Sequence, residues 1–316
     1  MRAQLTLFGD AEPIPDPLVP EPLELLPTAE PDSRQHSLFE GSLTELHALS
    51  AAFEQLDLSA ARVAWARAED RFPEWARLQG WGRWIEDLAW LRSAEQTWAR
   101  GEGVEELLAL LKHSAEGRFS GMKAELREQV VSEQISRTAR QLVEAHGPKA
   151  RLQDGRPVGC LALLAGRPVE AANLLGDAAA AEPGDGQVLG YLGEALWCEG
   201  RTAEALAAYR DAYLLAPNAV DEAISTCGPI HDLLDHVSDL ALPGAPGNWV
   251  PILADLEGLV FLDGTKVQLP EEGPARALAS YRRQRQAGVL SEVERIALKR
   301  AILSQAPQLK ELVRRL

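Results

Sequence analysis

The sequence predicts an all-α protein. Apolar residues recur at helical spacing from about Ser42 to the C-terminus. Proline and glycine fall between those runs, where helices stop. One stretch also repeats itself at an offset of 34 residues, a period typical of stacked helical hairpins. Apolar residues make up 46% of the 316, enough to bury a real core, so wholesale disorder is excluded.

The first element is a tail, residues 1–41. Between Gly9 and Ser33 it carries seven prolines and many acids, a composition that predicts an extended, disordered segment. Residues 42–148 form an N-terminal helical region. Ser42 and Glu45 make an S-x-x-E capping box ahead of Leu46, Leu49, Ala52, Phe53 and Leu56. A second helix fits 59–71 and stops at Phe72-Pro73; others fit 80–98, 103–112 and 119–146, the last ending at Gly147-Pro148. Residues 219–316 form a C-terminal helical region. A helix around Ile230–Leu240 runs into a Pro-Gly-Ala-Pro-Gly loop at 243–247. Leu259–Leu262 and Lys266–Leu269 flank Asp263-Gly264, which reads as one small hairpin. Helices near 274–287, 292–304 and 307–315 close the chain, the middle one capped by Ser291 and Glu294.

Between these regions, residues 149–218 hold the repeat. Gly166-Arg167-Pro168-Val169-Glu170-Ala171-Ala172 aligns with Gly200-Arg201-Thr202-Ala203-Glu204-Ala205-Leu206. The same offset pairs Gly159 with Gly193, Leu175 with Tyr209, Ala178 with Ala212 and Pro183 with Pro217. Small residues such as Gly193 and Ala205 let two antiparallel helices cross closely, and the prolines end the second helix of each pair. On Leu189, Leu192-Gly193, Leu196, Ala205, Tyr209, Ala212 and Pro217, residues 152–217 resemble two tandem tetratricopeptide (TPR) repeats. The first copy opens on Gly155, a departure that weakens its first helix. A degenerate copy fits 42–73, with Ala61, Trp65, Ala68 and Pro73 at matching positions. The resemblance implies a non-enzymatic protein-interaction scaffold or adaptor with a groove lined by first helices. It points to Gln187, Gly190, Tyr191, Glu194 and Trp197 as the residues facing that groove, with Tyr191, Glu194 and Trp197 as the contacts expected to touch a protein partner.

The tail carries two short motifs. Gln4-Leu5-Thr6-Leu7-Phe8 resembles the pentapeptide that binds the bacterial sliding clamp, with Thr6 the one departure; Gln35-His36-Ser37-Leu38-Phe39 is similar, with His36 in place of leucine. The resemblance implies that Leu7-Phe8 and Leu38-Phe39 fill an apolar pocket, that Leu5 packs beside the first pair, and that Gln4 and Gln35 fix register. It makes the sliding clamp the expected protein partner.

Charge separates the other function classes. The net charge is −15, a poor match for phosphate-rich ligands. Residues 1–41 carry −6, residues 274–316 carry +7, and the middle carries −16. The basic end offers a second reading, a nucleic-acid-associated protein, unless it docks on the acidic middle of the same chain or on a partner. An enzyme is the remaining alternative. No phosphate-binding loop, G-x-S-x-G, H-E-x-x-H or G-x-G-x-x-G is present, so no catalytic residue, metal ligand or cofactor is expected. His231 and His236 are five apart, which turns them about 140° away from each other on a helix, the wrong geometry for a shared metal. Six of eight tryptophans fall within 65–98, where Trp81 and Trp84 share a helix face with Leu88; core packing is expected, an aromatic binding surface being the other reading. The three cysteines form no C-x-x-C pair, no apolar run reaches about 18 residues, and no signal region opens the chain. A cytoplasmic protein with no membrane span is expected.

Overall fold

The computed structural model describes residues 33–71, 73, 80–98, 119, 122–218, 220–269 and 273–316, and for residues 33–43 and 96 the backbone only. Among them are thirteen α-helices: α1 Ser33–Glu54, α2 Leu58–Arg71, α3 Trp81–Trp98, α4 Ala124–His146, α5 Cys160–Leu164, α6 Pro168–Ala181, α7 Gly186–Cys198, α8 Thr202–Leu215, α9 Gly228–Asp239, α10 Val250–Leu256, α11 Pro274–Gln286, α12 Glu292–Gln305 and α13 Lys310–Arg314. The described residues hold no strand, so the all-α class stands. None of these helices is long and apolar enough to cross a membrane. The chain divides into two units, residues 1–44 and 45–316. The described part of the first is the opening of α1; the second holds the remaining elements.

Several expected boundaries shift. Ser42 and Glu45 lie inside α1, which begins at Ser33, so that S-x-x-E pattern is not a cap. The effective cap sits one helix later. Asp57 Oδ1 accepts the amides of Ser59 and Ala60 at 3.0 Å and so opens α2; these bonds, that from Ala60 first, hold its carboxyl below the usual range. Residues 33–41 of the expected tail are thus helical, and residues 1–32 lie outside the described part, as does the helix expected at 103–112. At the other end the Ser291–Glu294 capping box forms as expected, with both reciprocal bonds present. Gly147 closes α4 at a φ of +83°, a value that costs glycine nothing.

Two sequence expectations are corrected. The first repeat's opening helix shrinks to Cys160–Leu164, because Gly155 turns at φ +86° and Pro157 forces an extended neighbour. Residues 151–157 instead close a tight turn, with Leu152 N donating to Arg156 O and Arg151 bridged to Pro157. The expected 259–269 hairpin is a 3-10 turn at Leu262–Gly264. Its backbone groups go to charged side chains rather than to a strand partner. Asp255 Oδ2 accepts Leu262 N at 2.7 Å, and Arg210 donates to Phe261 O and Gly264 O at 2.8 and 3.1 Å.

The core has two parts. One is built from α1 to α8 and includes Leu49, Phe53, Leu88, Ile135, Leu161 and Leu175; the other runs from α8 to α13 and includes Leu233, Leu253, Leu278 and Ile302. Helix α8 feeds both, through Ala205 and Ala208 on one side and Tyr209 and Tyr213 on the other. The tryptophans pack as core. Trp81 and Leu88 are buried, Trp65 tilts against Trp81 at 6.2 Å between centroids, and Trp84 and Trp90 stand edge-on to Phe53 and Trp98. Trp75 lies outside the described residues.

Candidate partner-binding surface

The 34-residue spacing places two glycines at helix crossings. A methyl group on Gly193 of α7 would lie 2.9 Å from the Tyr209 ring of α8, and one on Gly159 would lie 2.7 Å from Leu175 Cγ of α6. These contacts set how closely each pair packs, and Ala205 is fully buried beside them. Helix α7 starts at Asp185, whose Oδ1 accepts the amides of Gln187 and Val188; its carboxylate also pairs with Arg151.

The residues expected to face a groove are mostly covered by the chain itself. After α8 the chain returns over α7 through residues 220–227. Tyr191 is buried and its hydroxyl donates to Asp221 Oδ2 at 3.1 Å. Glu194 is buried and accepts Thr226 N at 2.9 Å, the Thr226 hydroxyl at 2.6 Å and the Tyr209 hydroxyl at 2.5 Å. Burial, together with the neighbouring carboxylates, pushes the Tyr191 and Tyr209 hydroxyls up, so both stay neutral donors. Gly190 is buried as well. Gln187 is half-buried, with Oε1 accepting Arg151 Nη1 at 2.8 Å, and Trp197 is half-buried between the two cores. Tyr191 and Glu194 are thus latches for a returning segment rather than free contacts. The segment Asp221–Thr226 carries the polar groups that make this cover, but nothing local in it says where it folds.

An open crevice lies on the other side of α7. Leu189, Leu192 and Leu196 form its floor, with the first two half-buried. Gly176, Ala179 and Ala180 of α6 make one wall, and Ala207 and Ala208 of α8 the other. Its volume is about 530 Å³. Gly176, Ala179 and Ala180, small and at helical spacing on the α6 wall, leave room for another backbone to approach. Exposed Lys266 and Glu204 stand at the rim.

Of the tail residues, Gln4, Leu5, Leu7 and Phe8 lie outside the described residues. Gln35, Leu38 and Phe39 fall on the helical backbone of α1 rather than in an extended tail, and their side chains lie outside what is described. The two histidines meet different partners. His231 Nε2 bonds Ser225 O at 3.0 Å and His236 Nδ1 bonds Glu257 Oε1 at 2.7 Å.

The cysteines differ in reach. Burial pushes the Cys160 thiol up to about 12 and the Cys227 thiol up to about 11, whereas Cys198 is exposed, its thiol raised by partial burial and by Glu194. A colourimetric thiol titration should therefore count one reactive cysteine in the native chain and three in denaturant. Three fast native thiols would mean that α5 and the start of α9 are not packed as described. Against known proteins, the chain matches no family model, and no significant match exists among the curated proteins or the solved structures.

Proposed function

We propose that the chain is a non-enzymatic interaction scaffold, a TPR-like helical body tethered through its N-terminal tail to the bacterial sliding clamp. The open apolar crevice over α7 carries the scaffold reading. It is lined by leucine and alanine and takes an amphipathic helix of a partner protein, whose apolar stripe covers the floor while the short walls accept its backbone. The in-cis cover over Tyr191 and Glu194 directs the partner to this side. The tether rests on Gln4-Leu5-Thr6-Leu7-Phe8; a match of that kind arises by chance in roughly one chain in a hundred of this length. Its neighbour at Gln35–Phe39 is held in α1 and is the weaker candidate.

The tether is tested by titrating a clamp with the full chain, with a peptide of residues 1–12, and with each carrying Leu7→Ala and Phe8→Ala. Binding by both parents that weakens at least about tenfold in the variants is expected. Equal binding by parent and variant, or none by either, overturns the tether. The crevice is tested in the tail-inactivated chain. Proteins it retains should be released by Ala180→Arg, an exposed wall position whose change leaves the fold intact. Retention unaltered by Ala180→Arg overturns the crevice as the docking surface.

A further inference from the structure

A second cleft, of about 350 Å³, lies between α11 and the loop 262–269. One wall is cationic. Arg276 and Arg283 are seven residues apart on α11, so they project from the same face about 10 Å apart along the axis. Both are exposed, and neither forms an ion pair among the described residues; Arg283 Nε donates to Ala279 O at 3.2 Å, which leaves its terminal nitrogens free.

The opposite wall mixes apolar and polar side chains: half-buried Val267 and Leu269 stand with Thr265 and Gln268 over the fully buried Leu262. Buried charges hold the loop in place: Arg210 binds Phe261 O and Gly264 O, Asp255 binds Leu262 N, and Thr265 donates to Asp211 Oδ1 at 2.5 Å. Asp263, the one carboxylate in the lining, accepts Gln286 Nε2 at 2.6 Å. Two half-buried apolar side chains facing two guanidiniums without an ion pair among the described residues suit one kind of occupant.

We infer that this cleft binds an extended peptide segment of a partner protein in which acidic and apolar residues alternate. The carboxylates meet Arg276 and Arg283, and the apolar side chains lie on Val267 and Leu269. In such a segment carboxylates two positions apart lie on one face roughly 7 Å apart, within reach of two long arginine side chains that leave the helix about 10 Å apart. The proposal rests on the scaffold reading, yet it involves neither the tail nor the α6 wall of the crevice, the two sites sharing only Val267, so the clamp titration and the Ala180→Arg retention assay can fail without it.

The test is fluorescence anisotropy of a labelled peptide of about ten residues alternating Glu and Leu, at low salt, against the full chain. A Gln-for-Glu peptide is the control. The Glu peptide should bind, and the double variant Arg276→Gln, Arg283→Gln should weaken it at least about tenfold, while Arg300→Gln, an exposed arginine of α12 outside the cleft, leaves it unchanged. Equal binding of the two peptides, an equal loss in the Arg300→Gln chain, or no binding overturns the proposal. Displacement of the peptide by millimolar inorganic phosphate alone would also overturn it, since the site would then be one for small anions.

Discussion

Gly247→Ala is expected to lower the melting temperature by about 6–12 °C. Gly247 sits in the 3-10 turn Pro246–Asn248, against the end of α8. An added methyl group would lie 1.9 Å from Pro217 O, 2.8 Å from Pro217 C and 2.9 Å from Tyr213 Cδ1. The first two atoms are backbone, and a proline carbonyl at a helix stop has little freedom to move. The turn is fixed as well, since Asn248 N donates to Ala245 O, Trp249 N to Pro246 O and Trp249 Nε1 to Pro243 O. Overpacking of this kind costs about 3 kcal/mol, and a chain of this size loses roughly 2–4 °C for each kcal/mol. Gly193→Ala and Gly159→Ala should cost less, because the Tyr209 ring and the Leu175 side chain can give way. Differential scanning calorimetry ranks the three. A Gly247→Ala chain that melts with its parent would mean that the 243–249 loop does not pack on α8.

What the sequence made legible follows from the range of its signals. Helices are written locally, so the stop at Gly147 ends α4 where expected, while its first residue is Ala124 rather than residue 119. The repeat is written twice, and the pairing of Gly159 with Gly193 correctly located two tight crossings. Turns competed less visibly. Gly155 was noted as weakening a helix, but Arg156-Pro157 next to it abolishes that helix up to Cys160. Asp263-Gly264 has hairpin chemistry, yet a hairpin needs partner strands, and Asp255 and Arg210 take up the backbone groups first. The candidate site suffered most. Tyr191 and Glu194 lie on α7, but the cover they receive from Asp221 and Thr226 spans about 30 residues of sequence and leaves no periodic trace. Gly247 had only its loop composition to announce it, and that says nothing about Pro217.

The basic C-terminal region shows how a regional charge divides into unequal residues. Ten bases against three acids suggested one surface seeking an acidic partner, yet Arg282, Arg283 and Arg285 have different surroundings. Arg282 Nε donates to Asp255 Oδ1 at 2.9 Å and its Nη2 to Asp255 O at 2.8 Å, with the guanidinium 4.5 Å from the centre of the Phe261 ring. Asp255 has no exposed surface. Arg283 and Arg285 are exposed and form no ion pair among the described residues. Arg282→Glu should therefore destabilise the chain by about 3–5 kcal/mol, because it strands a buried carboxylate beside a second one and loosens the turn that Asp255 holds through Leu262 N. Arg283→Glu and Arg285→Glu should each stay within about 0.5 kcal/mol. Urea unfolding at low and high salt separates the cases. The Arg282→Glu deficit should persist in salt, since a buried pair is poorly screened, whereas any effect at Arg283 or Arg285 should fade. Asp255→Asn combined with Arg282→Met tests the pairing itself. Asparagine keeps an acceptor for Leu262 N and methionine removes the cation, so the double variant should be at least about 1 kcal/mol more stable than the sum of its single changes. If Arg282→Glu unfolds at the same urea concentration as Arg285→Glu, the Asp255 pair does not form.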